Sequence, residues 1–263
     1  MNTAEPLMMD AIRYHPLLLF VLSLLAMWLA ARAGAYVRGR KSLEEEGLRQ
    51  DFDVVQAATL TLLGLIIGFS FSMAIGRYDQ RKNLEEEEAN AIGTAYVRAD
   101  LLPAADGDKL RPLLRDYLDQ RILFYTIRDI EQLAAMDART SRLQAELWAT
   151  IRGPAAAHPT PIVGLVVVAI NDVINAQGYS QAAFWNRIPA AAWGLMLAMA
   201  ICANFLVGYG SRSSRMGYAL LLVLPLVAGI SFMLIADIDT PRRGLIHVLP
   251  QNLMSLAESL RPR

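Results

Sequence analysis

The sequence is poor in cysteine and histidine, two residues on which much nucleophilic, acid–base and metal-dependent catalysis relies. It holds a single cysteine, Cys202, so no disulfide can form within the chain. Its three histidines, His15, His158 and His247, lack any metal-ligand spacing. There is no glycine-rich phosphate loop and no nucleophile elbow. Charge is missing over long stretches: Val54 to Gly76, Ile188 to Ser211 and Met216 to Ala236 contain no Asp, Glu, Lys or Arg. These absences argue against an enzyme, and no cofactor, metal or nucleic-acid partner is expected. They also argue against a proton relay, which needs ionisable groups at membrane depth. A passive pore has no such need, because an apolar constriction can gate by dewetting.

What the sequence does have is apolar length. Hydrophobic residues make up 54% and charged residues 19%, too apolar for an average soluble domain and too charged for a bare membrane bundle. Each uncharged run exceeds the roughly 20 residues needed to cross a ~30 Å hydrocarbon core. A fourth run, Pro16 to Ala31, reaches full length by including Tyr14 and Tyr36, with Arg32 snorkelling to the interface. A cleaved signal peptide would explain this run too, given the small residues Ala31, Ala33 and Ala35. Glu5 and Asp10 against Arg13 make a poor basic leader, so a retained span is expected. A soluble core could hide one such helix, but four leave too little polar chain to wrap them. The expectation is an all-α membrane protein with spans at 14–37, 54–77, 188–211 and 216–237. A helical soluble domain at 78–187 separates the second and third spans, and a tail covers 238–263.

The middle region has a different composition. From Arg77 to Arg187 it carries 13 Lys/Arg and 15 Asp/Glu, which places it in water. No proline occurs from Ile75 to Leu102, so the second span can continue out of the membrane as one helix up to Pro103. Asp106 reads as an N-cap for a helix carrying Leu110, Leu113, Leu114, Tyr117, Leu118, Ile122, Tyr125 and Ile130 at helical spacing. A short helix is expected around Ser141 to Ile151, then a connector from Gly153 to Pro159. Thr160 and Pro161 start a further helix as cap and first residue. Its apolar run Ile162 to Ile170 is too short to span and is expected in the core of the soluble domain.

Three features could carry function. Thr61, Gly64, Gly68 and Ser72 lie within about 80° of one another at about 100° per residue, with Leu65 and Phe69 flanking. This is either a small-residue packing seam or a pore wall. Glu85 to Glu88 form a charge run, either a solvated face or, in an oligomer, an acidic ring. Asp237 and Asp239 end the fourth span before Pro241, as an interfacial helix stop or as a weak cation site.

The stretches Leu63 to Leu84 and Glu88 to Pro103 resemble the bestrophin-like family of bacterial membrane proteins, and the likeness extends over nearly all the chain beyond residue 50. Gly68 and Phe69 followed by Arg77 and Tyr78 are similar to a motif that bestrophins carry at the end of their second span. Ala169 to Ile174 leading to Ile188 and Pro189, and the acidic exit from Asp237 to Gly244, are also similar. The resemblance implies an anion channel built as a five-fold ring of identical subunits. Its pore neck would fall on Thr61, Leu65 and Phe69, with Gly64, Gly68 and Ser72 also lining the pore. Thr61 departs from the apolar pattern of that neck. Glu85, Glu88 and Arg98 become vestibule candidates, although the glutamates suit an anion path poorly. The calcium-binding acidic cluster of animal bestrophins is reduced to Asp237 and Asp239. The middle domain and both tails would be cytosolic, in a multi-pass protein of the bacterial inner membrane. The partners implied are the lipid bilayer, further copies of the chain and inorganic ions. A non-conducting scaffold or sensor is the alternative, and it would pack Gly64 and Gly68 against a helix of the same subunit.

Overall fold

A computed structural model describes residues 15–40, 46–211, 217–242 and 244–261. Every regular element among them is helical. In chain order these are α1 (Pro16–Arg40), α2 (Glu46–Arg98), a 3₁₀ turn (Ala99–Leu101), α3 (Ala104–Thr126), α4 (Ile130–Ala157), α5 (Pro161–Trp185), α6 (Ala190–Gly210), α7 (Gly217–Asp239) and α8 (Gln251–Ser259). Tyr14 and Met216, expected at the starts of two spans, lie outside the described residues.

The chain divides into two compact units. The first comprises Met1–Gly76 and Arg187–Ile246, and in it α1 packs along both α6 and α7. The α1–α6 crossing is close because both helices lack a side chain at the contact. A Cβ on Gly34 would run into the Phe205 carbonyl, and one on Gly208 into the Ala31 carbonyl. Small residues of this kind let membrane helices approach through their backbones.

Four helical stretches are long and apolar enough to cross a membrane: Pro16–Arg38, Arg49–Leu101, Pro161–Gly210 and Leu221–Asp239. In none of them is more than half of the apolar window buried within the chain. Leu17, Leu22, Leu195, Val223 and Val227 all point outward. In water such a surface would aggregate, whereas in lipid it is the ordinary exterior. Pro161–Gly210 joins two helices, and its α5 part belongs to the second unit, where Val163, Val166, Ala169, Ile170 and Val173 are buried.

That second unit, Arg77–Asn186 with His247–Arg263, has its own apolar core. Ile92, Ala95 and Ala99 meet Leu110, Leu114, Tyr117 and Leu118 of α3, Leu143, Leu147 and Ile151 of α4, and Leu253 of α8. The expected continuous helix is present: α2 runs unbroken for 53 residues and the chain turns only before Pro103. Thr160 caps α5 as expected, its hydroxyl accepting from the Val163 N–H at 3.3 Å, with Pro161 in the first turn.

Other expectations are corrected. Asp106 is not a cap: Pro103 holds that position, and the Asp106 N–H already bonds the Pro103 carbonyl at 2.9 Å. Proline can begin a helix because the N–H it lacks would have no partner there. Ile130 is not on the α3 face, since that helix stops at Thr126 and Ile130 opens α4. The short helix at 141–151 is in fact 28 residues long and absorbs most of the expected connector. Pro154 sits inside its C-terminal part, where it forfeits one backbone bond without stopping the helix. Only residues 158–160 remain as the connector.

Candidate functional site

The membrane part of α2 has two contrasting sides. Leu63, Ser70 and Ala74 are buried, and their spacing of seven and four residues puts them on one face. The opposite face carries Thr61, Gly64, Leu65, Gly68, Phe69 and Ser72, all of them exposed. Leu65 is 50% and Phe69 65% exposed. A Cβ added at Gly64, Gly68 or Gly76 would meet nothing within 4 Å. The Thr61 hydroxyl bonds back to the Ala57 carbonyl at 2.9 Å, so it needs no outside partner. Small side chains on an exposed face are neither used for packing within the subunit nor suited to greasing a lipid contact.

Beyond Gly76 the same helix becomes polar. Asp79, Glu86 and Glu87 are exposed, and Leu65, Ser72, Asp79 and Glu86 recur every seven residues. Glu85 and Glu88 behave otherwise, and their place as vestibule side chains is corrected. Glu85 is 1% and Glu88 0% exposed. They fall on the inner face of α2 because the charge run is longer than one side of a helix. Glu85 accepts from the Leu253 N–H at 2.9 Å and the Asn252 amide at 2.7 Å, which fastens the start of α8. Glu88 pairs with Arg121 of α3 and accepts from the Ser180 hydroxyl at 3.1 Å and the Tyr125 hydroxyl at 3.3 Å. Arg98 is half-buried and donates to the Leu165 carbonyl at 3.2 Å.

The two aspartates of α7 are also occupied, which counts against the cation site. Asp237 accepts from the Leu245 and Ile246 N–H groups, each at 2.8 Å, closing the turn after the helix. Asp239 accepts at both oxygens from the Ile188 N–H at 3.1 Å, just before α6 begins. Carboxylates engaged by N–H donors serve as backbone clips and present few lone pairs to a cation. Among the described residues no group of three or more His, Cys, Asp or Glu could hold a metal.

A family model of the bestrophin-like domain matches residues 17–253, most of the chain and every element just described except the first residue of α1 and the last six of α8. The chain belongs to the bestrophin-like family. No curated protein matches it. Its fold is similar to solved structures of a bacterial bestrophin homologue from Klebsiella pneumoniae. A tyrosine-to-alanine variant aligns with a TM-score of 0.65 and 14% identity, over 92% of this chain and 97% of that one. A leucine-to-threonine variant gives 0.65 and 15%, over 93% and 97%. A form phased on zinc gives 0.64 and 14%, over 93% and 96%.

In this bestrophin-like chain the inner face of α2 is held by Arg121, Ser180 and Asn252, none of which stands out as a functional residue in the sequence. One signal was available. Arg121 interrupts the apolar series Leu114, Leu118, Arg121, Tyr125 at steps of four, three and four, so its spacing puts it inside. A lone charge on a core face needs a buried partner, and Glu88 supplies it.

Proposed function

We propose that the chain assembles into a homo-oligomeric ion channel of the cell membrane, with α2 lining the pore. The observation that carries this reading is the open face of α2. Gly64 and Gly68 pack against nothing in their own subunit, while the opposite face is buried. The scaffold alternative needs these glycines against a neighbouring helix of the same chain, so it loses its main support. Copies arranged around an axis along the membrane normal would bring the open faces together, and the family resemblance supports five. Leu65 and Phe69 then form an apolar neck, where an ion must shed water at a cost of several kcal/mol. The family resemblance also supports a cytosolic position for residues 78–187.

The family resemblance favours an anion. A second reading, cation conduction, draws on Asp79, Glu86 and Glu87, which are exposed on the same unbroken helix. A ring of such carboxylates would concentrate cations and repel anions. The test is electrical recording from purified protein in planar bilayers under a salt gradient. Current whose reversal potential lies near the chloride equilibrium supports the anion reading, and near the potassium equilibrium the cation reading. Absence of current from well-incorporated oligomers would overturn the channel itself.

A further inference from the structure

The soluble stretch of α2 and the tail helix α8 flank an open recess on the surface of the second unit. Asn90, Thr94 and Arg98 repeat every four residues on α2, and Asn252, Ser255 and Ser259 at steps of three and four on α8. Gly93 lets the helices come close, since a Cβ there would lie only 3.3 Å from Leu256 Cδ1. The volume is about 630 Å³, the size of a small-molecule site. Two carboxamides, three hydroxyls and one guanidinium line it, without any carboxylate or lysine. Two exposed acids flank the lining, Glu87 on α2 and Glu258 on α8, whereas Glu85 is buried and spent on Leu253 and Asn252. The lining residues themselves carry one formal charge, the positive one of Arg98.

The polar groups in this wall have little to do within the protein. Arg98 donates from one terminal nitrogen to the Leu165 carbonyl, which steadies the guanidinium. Its Nε and its other terminal nitrogen have no partner among the described residues. Asn90, Thr94 and Ser255 also make no hydrogen bond among them. We propose that this recess binds a small organic oxyanion, a phosphate or carboxylate carried on a hydroxylated body. The free side of the Arg98 fork would take the charged group in a two-point contact. The amides and hydroxyls would hold the polar body. The inference uses only the geometry of this unit and is independent of ion conduction.

The test is calorimetric titration of the full-length chain in detergent, with glycerol 3-phosphate as the probe and glycerol as the uncharged control. Saturable binding of the phosphate alone is expected. Arg98→Gln should weaken it by about tenfold or more, the share of a charge-assisted contact. Ser255→Trp, which fills the recess from an exposed helix position, should abolish it, while Lys109→Gln elsewhere on the unit leaves it unchanged. Repeating the titration in nanodiscs separates two sources of the same chemistry. Binding blocked by phosphatidylglycerol but not by phosphatidylcholine assigns the site to a lipid headgroup, and binding in both to a free metabolite. Failure of the folded wild type to bind, or equal binding by both recess variants, would overturn the proposal.

Discussion

Arg121 of α3 donates to Glu88 of α2 in the middle of the helical unit, and neither side chain has any exposed surface. The guanidinium also lies 4.2 Å from the centre of the Phe124 ring and donates to the Ser180 hydroxyl at 3.3 Å. Burial disfavours the charged guanidinium, but the charge and hydrogen bond of Glu88, with Tyr117 and Tyr125 beside it, together outweigh that and hold the arginine above its ordinary pKa. One charge on the long helix is thereby tied to two others, α3 and α5.

Removing one partner strands the other in a dry core. We expect Glu88→Leu or Arg121→Met alone to cost about 3–5 kcal/mol, whereas the double variant recovers most of that loss. Chemical unfolding of the four proteins of the cycle measures the coupling. Additive losses in the double variant would mean that the two charges do not depend on each other.

Tyr117 and Tyr125 give the same cluster a sensitivity to alkaline pH. Burial pushes both phenols above the usual tyrosine range, and the Glu88 charge pushes further in the same direction. The unfolded chain releases these protons near pH 10 while the folded chain keeps them. The native state thus binds more protons, so stability is intact below about pH 10 and falls above it, by up to about 1.4 kcal/mol per pH unit per tyrosine. Unfolding measured between pH 9 and 11 should show this slope. The Tyr117→Phe and Tyr125→Phe double variant should lose much of it, and an unchanged slope would place its origin elsewhere.

Phe69→Ala separates a pore neck from a packing seam. Phe69 is mostly exposed within its subunit, so truncation should not incur the roughly 3–5 kcal/mol typical of a buried phenylalanine. It should widen an apolar ring and raise current or open fraction, at about tenfold in rate for each 1.4 kcal/mol of barrier removed. The measurement pairs bilayer recording with thermal stability of the oligomer. A large drop in stability without a change in current would favour the seam.

Glu85→Ala should loosen the tail helix. The change removes the acceptor for the Leu253 N–H and leaves that buried donor unsatisfied, at a cost of about 1–3 kcal/mol. Hydrogen exchange at residues 251–259 should accelerate in the variant while exchange in α3 stays slow. Unchanged protection of α8 would show that its apolar contacts hold it without the carboxylate.

Sequence alone determined the elements whose causes are local or periodic. The uncharged runs of α2, α6 and α7 exceed a membrane thickness, the proline-free stretch to Leu102 keeps α2 whole, and Thr160 with Pro161 starts α5. Each follows from a few neighbouring residues, because backbone hydrogen bonding and transfer to lipid act over single turns or single spans. The length of α4 was not legible, since Gly153 and Pro154 ordinarily signal a break and only packing along α3 and α5 keeps the helix going.

Only the tertiary structure decided which side of α2 is used. The sequence placed Gly64 and Gly68 on one face but left open whether a neighbour covered it, and the fold leaves it uncovered within the subunit. It presented Glu85 to Glu88 as one charge run, and the fold divided the run, burying two and exposing two. The physical reason is the same in both cases. A helix repeats every 3.6 residues and so has several faces, and which one is buried depends on residues distant in sequence, Arg121 and Leu253 among them. Their positions are set by the packing of other helices, not by anything written beside the glutamates.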